Sequence, residues 1–235
     1  MNLRLSRDRG RLYSLTGLVI FVIALIGFAR TYYLRAWFDL PPLTVRLHLH
    51  GLALTLWLVL FLVQSTLISV GRRNLHRRLG YAGIGLAAAI IVTTYTAAIE
   101  AAHLHGSRGG ITAADRLYST VVILMLFAVF VAVGTLCRKR PELHKRSMLL
   151  ATIAIVGPAV TRATALLAGR GMRDPHVLVI SALLLAALLS DWRTRGRPHW
   201  FLLSGGLLLV ASQVTRRLVG GTDAWALIGN WLIGS

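Results

Sequence analysis

Six of the eight histidines in this chain fall into two groups, and a neutral imidazole nitrogen is a ligand for iron, copper or zinc. The first group is a pair, His76 and His144. Each follows a leucine and precedes two basic residues, in GRRNLHRRLGYAG and CRKRPELHKRSML. The second group is His48 and His50 in LHLHG, with Glu100, His103 and His105 in IEAAHLHGSRGG. Nothing in the chain resembles a Ser-His-Asp nucleophile set, a phosphate-binding loop or a dinucleotide fingerprint, so any catalytic claim rests on these imidazoles.

The two Leu-His segments stand at equivalent places: each opens the return span of a helical hairpin running in the same direction. Hairpins of that kind are expected to be related by an axis along the membrane normal. His76 and His144 then reach one depth from opposite sides, an arrangement for clamping a flat cofactor, and histidine is among the axial ligands of haem iron. Arg77, Arg78, Lys145 and Arg146 are the candidates for neutralising haem propionates. The competing reading is that adjacent charges hold both rings at the headgroup level.

The second group depends on an antiparallel hairpin that brings the start of one span level with the end of the next. Glu100 and His103, three apart, share a helix face. His50 is expected to face inward, because Gly51 after it offers a close-approach point. His48, His50, Glu100 and His103 then form a candidate copper, zinc or iron site. The same residues would serve equally as an outer haem ligand, a proton entry or a solvated rim. Gln64, Tyr95 and Arg162 are polar residues inside spans, and Arg162 is expected either to pair with Glu100 or to snorkel to headgroups.

The elements that must position these groups are membrane helices. The chain has 235 residues, 56% of them hydrophobic, and a mean hydropathy of +0.67. Seven apolar runs of bilayer length are expected at about 12–29, 48–70, 79–100, 118–137, 147–167, 176–191 and 199–218, the sixth being the shortest. The fold class is therefore an all-α polytopic bundle forming one integral membrane domain, 1–235, around core hairpins 48–100 and 118–167. Gly157–Pro158 is expected to kink the fifth run. Gly80, Gly83 and Gly85, with Ala87 to Ala89, suggest a close packing face on the third. The tail TDAWALIGNWLIGS is too short to cross again, and Trp225 and Trp231 suit a helix lying in the interface.

Charge sets the orientation. The net charge of +18 comes from 26 basic and 8 acidic residues, and the basic ones lie in short clusters between apolar runs. That distribution argues against nucleic acid and for anionic lipid headgroups as the countercharge. With the N-terminus cytoplasmic, 16 of the 26 basic residues fall inside, so the C-terminus is expected outside, in a bacterial cytoplasmic (inner) membrane. The segment MNLRLSRDRGR reads as the start of an uncleaved first span. A single cysteine, Cys137, forms no intrachain disulfide.

YYLRAWF, LHLHG, Trp57, Gln64, GRRNLHRRLG and RPELHKRSMLLAT followed by Arg162 together resemble a widespread family of small bacterial multi-span membrane proteins, over roughly residues 30–165. That resemblance implies a membrane bundle and no reaction. More distantly, the Leu-His-Arg entry to a span is similar to motifs of transmembrane b-type cytochromes. That similarity implies one inner haem held by His76 and His144. A second haem would need a histidine on span four, which opens ADRLYST and has none. Three functional classes follow: a redox protein using haem b or a metal; a cofactor-free accessory or assembly subunit, packed against other membrane subunits or its own copies; and a proton-linked transporter using Arg162, Glu100 and Tyr95. The scarcity of acidic residues within spans argues against the third.

Overall fold

The structure, a computed structural model, describes residues 2–105, 112–169 and 175–234. Its order is α1 (Asn2–Phe28), a π-helical turn (Ala29–Tyr33), a 3-10 turn (Arg35–Phe38), α2 (Val45–Ser69), α3 (Arg73–His105), α4 (Ala113–Leu136), α5 (Pro141–Ala154), α6 (Gly157–Leu167), α7 (Pro175–Arg195), α8 (Trp200–Gly220) and α9 (Asp223–Ile233). The fold is all-α among the described residues.

Neighbouring helices close a ring. Contacts run α1 to α2, α2 to α3, α3 to α4, α4 to α8, α8 to α7 and α7 back to α1. The pair α5–α6 fills the middle, with α5 against α4, α8 and α2, and α6 against α1 and α7. Its sequence explains the position. SMLLATIAIVGPAV is apolar all round and rich in small residues, so it can be buried on every side and approached closely. Ser147, Leu149 to Ala154, Val156, Ala159 and Val160 are all buried.

The expected kink is present, since α5 and α6 meet at 50°. Pro158 has no N–H to give the carbonyl of Ala154, so the helix stops and restarts. Two tight crossings lie outside the face expected on the third run. A Cβ on Gly27 would stand 2.2 Å from the Ala159 carbonyl oxygen, and one on Gly134 would stand 2.3 Å from the Met148 methyl. Gly83 does pack near Leu60, but Gly85 faces open space and Ala88 and Ala89 are exposed, so that face of α3 is only partly used. The contact at Gly27 is against backbone that cannot give way, whereas the Met148 methyl facing Gly134 ends a flexible side chain.

Among the described residues, five helical stretches are long and apolar enough to cross a membrane: Tyr13–Tyr33, Val45–Ser69, Arg73–Leu104, Ala113–Leu136 and Pro175–Arg195. The bent pair α5–α6 makes up to six. The run that looked shortest, 176–191, therefore qualifies once α7 is seen to extend to Arg195. The expected run 199–218 is helical, as α8, but is not among the qualifying helices of the described residues. The tail helix α9 forms as expected. Trp225 is docked, its indole N–H donating to the Ala114 carbonyl at 2.7 Å, whereas Trp231 is 78% exposed.

Candidate functional site

The two ends of the bundle carry different chemistry. At one end, here called the basic end, the start of α3 and the start of α5 bring the rings of His76 and His144 edge to face, with centroids 5.9 Å apart. The repeated Leu-His pattern thus predicts a real meeting of two hairpins. His144 Nδ1 lies 2.8 Å from the Gly134 carbonyl oxygen at the end of α4. A carbonyl only accepts, so Nδ1 carries the proton and, in the neutral ring, Nε2 presents a lone pair. His76 Nδ1 is buried with no hydrogen-bond partner. The Gln64 side chain stands close to Gly80, and its buried Oε1 likewise has no partner. Ser147 Oγ, one turn beyond His144, is a third such atom.

Arg146 sits beside this pair, and its environment was not legible from spacing. It is fully buried. Its Nε donates to Asp191 Oδ2 at 2.9 Å and its Nη2 to Asp191 Oδ1, a two-pronged pairing with the end of α7. Nη1 donates to Glu142 Oε2 at 2.7 Å, and Glu142 also takes Lys145 at 2.8 Å and Arg195 at 3.0 Å. Asp191 Oδ2 accepts the His199 backbone N–H as well. Arg146 and Lys145 are thereby committed to internal ion pairs, which leaves exposed Arg77 and Arg78 as the basic residues beside His76 that are not so held. The sequence reading missed Asp191. An acidic residue closing an apolar run was the signal, because a carboxylate at that depth needs a partner.

At the far end stand the residues expected to form the second group. No three His, Cys, Asp or Glu side chains converge on a metal-binding point among the described residues. His48 is exposed against Tyr32, with ring centroids 5.9 Å apart. His50 turns inward as expected, its Nδ1 3.2 Å from Thr94 Oγ1, and the close approach at Gly51 is real: a Cβ there would stand 2.4 Å from the Tyr32 ring. Glu100 is half-buried, with Oε2 unpartnered, and His103 is exposed. The His105 side chain lies outside the described residues. Tyr95 is half-buried on α3.

Arg162 forms no ion pair with Glu100. Its guanidinium lies over the Phe28 ring at 4.8 Å, and Nη1 donates to the Pro158 carbonyl at 3.2 Å. The bend at Pro158 sets α6 so that Ala159, Val160 and Ala163 face the core while Arg162 faces outward.

Comparison with family models, with curated proteins and with solved structures finds no match to this chain.

Proposed function

We propose that this chain is an integral membrane redox protein in which His76 and His144 hold a metal-centred guest for electron transfer. The observation that carries the reading is the meeting of two imidazoles from separate hairpins, one oriented by the Gly134 carbonyl and the other left with a buried unpartnered nitrogen. Such a carbonyl contact is what fixes the tautomer of a metal-ligating histidine.

Two protein ligands are too few for a tetrahedral zinc site, which needs four ligands, at least three of them from protein. They suit a guest that brings its own ligands, haem b above all, or a copper ion satisfied by two imidazoles. Haem bound there would supply a one-electron couple. The chain's part would be to orient His144 through Gly134 and to offer Arg77 and Arg78 toward carboxylates at the surface.

The topology proposed with this is seven crossings of a bacterial cytoplasmic membrane, α8 included, with the N-terminus inside. The basic end would face anionic headgroups. This keeps the resemblance to the small multi-span family and the distant one to b-type cytochromes as expectations about this chain.

The test is an optical spectrum of the purified protein, oxidised and then reduced, together with metal analysis. The expected result is a visible absorption that shifts on reduction, stoichiometric iron or copper, and loss of both in His76→Ala and His144→Ala. A featureless spectrum with sub-stoichiometric metal would overturn the redox reading and leave the alternative, a cofactor-free accessory or assembly subunit of a larger membrane complex.

A further inference from the structure

Arg162 is a cation in the far half of a membrane helix for which the described protein provides almost no acceptor. A guanidinium has five N–H donors. One of them reaches the Pro158 carbonyl, and the Phe28 ring covers one face of the group. The remaining donors have no hydrogen-bond partner, and no carboxylate of the described residues lies within ion-pair distance. The group is nonetheless held in place. The carbonyl one turn back and the aromatic ring of α1 hold it from two sides, so little side-chain freedom remains to be lost on binding.

Position decides what could fill the gap. Arg162 lies five residues before the end of α6 at Leu167, about 7.5 Å along the axis, within reach of the headgroup layer for so long a side chain. Leu25, one turn before Phe28 on α1, and Leu166, one turn beyond Arg162 on α6, are both exposed, and His50 of α2 lies within electrostatic reach of the guanidinium. The loop at the same end of the bundle exposes Trp37 and Phe38, the aromatic residues expected at a membrane–water boundary. A planar fork of unsatisfied donors beside apolar surface at that level matches an acyl-bearing phosphate.

We infer that Arg162 is the anchor of a specific phospholipid site in the far leaflet, its guanidinium holding the lipid phosphate while the acyl chains lie along α1 and α6. This site is separate from the His76–His144 pair and stands or falls without it.

The full-length protein in a neutral detergent, supplied with phosphatidylglycerol, is to be examined by native mass spectrometry. One lipid adduct should survive activation in the wild type. Arg162→Gln should lower the one-lipid population about tenfold, as expected for losing hydrogen bonds to a charged group, with Arg162→Lys intermediate. Arg30→Gln, which removes a cation stacked on Phe38 at the same end, should leave it unchanged. Diacylglycerol, which lacks the phosphate, should not be retained. Equal retention by wild type and Arg162→Gln, or equal retention of diacylglycerol, overturns the assignment. Displacement of the lipid by millimolar inorganic phosphate also overturns it, because the ligand would then be a soluble anion.

Discussion

Among the described residues Arg146 is the largest fully buried side chain, and Asp191 and Glu142 make its burial tolerable. Removing one partner of a buried pair strands the other charge, typically at about 3–5 kcal/mol, whereas replacing both by apolar groups is often neutral. The two carboxylates are not equal. Asp191 is buried and grips Arg146 with both oxygens, while the Glu142 side chain is 41% exposed and shares itself among three cations. Asp191→Asn is therefore expected to cost about 3 kcal/mol in thermal unfolding of the protein in lipid discs, and Glu142→Gln clearly less. The double change Arg146→Met, Asp191→Leu should recover most of the loss. An equal effect of the two single changes would show that the network, and not the buried pair, carries the stability. That Arg146 pairs with Asp191 could not be read from RPELHKRSM. The motif shows a cation beside a histidine and a glutamate one turn back, but the two-pronged partner lies 45 residues away on another helix.

Among the elements, α8 begins on an unusual cap. Gly196 turns the chain with φ of 71° after α7, and His199 then accepts the Phe201 backbone N–H on Nδ1 at 3.1 Å. Only a neutral ring can accept there. Partial burial, with Arg146 and Arg195 nearby, pushes the His199 pKa below its ordinary value of 6.5, outweighing the opposite pull of Asp191 and Glu142. The folded state thus binds its proton less readily than the unfolded chain. The contribution of this cap is present above pH 6.5 and is lost as the pH falls through the lower folded-state value. Melting temperature should accordingly fall below pH 6.5, and His199→Asn, which keeps a capping oxygen without the titration, should flatten that fall. A pH profile unchanged in His199→Asn would remove the cap from the account. The element most visible in sequence was the bent span, because proline and glycine act locally. That this span is the central one was invisible, since membership of the middle depends on which helices surround it.

For the molecule as a whole, the number of crossings decides where the C-terminus lies. Seven crossings put the termini on opposite faces, and six put them together. With α8 crossing, a single cysteine introduced at Ser204 should be shielded from a membrane-impermeant thiol reagent in intact cells, and one at Leu227 on α9 should react. In both proteins Cys137 is replaced by serine. Shielding at Leu227 until the cells are broken would place α9 inside and reduce the count.

Membership in the class of helical membrane proteins was determined by composition alone, because a run of about twenty apolar residues has few other places to be stable. The meeting of His76 with His144 was also legible, since a repeated pattern at equivalent turns of two like-directed hairpins returns to one depth. Only the tertiary structure decided that His48 packs on Tyr32, that Arg146 belongs to Asp191, and that Arg162 faces outward. Those outcomes depend on how each helix is rotated and on which helix it meets, and rotation is set by packing that one-dimensional spacing does not encode.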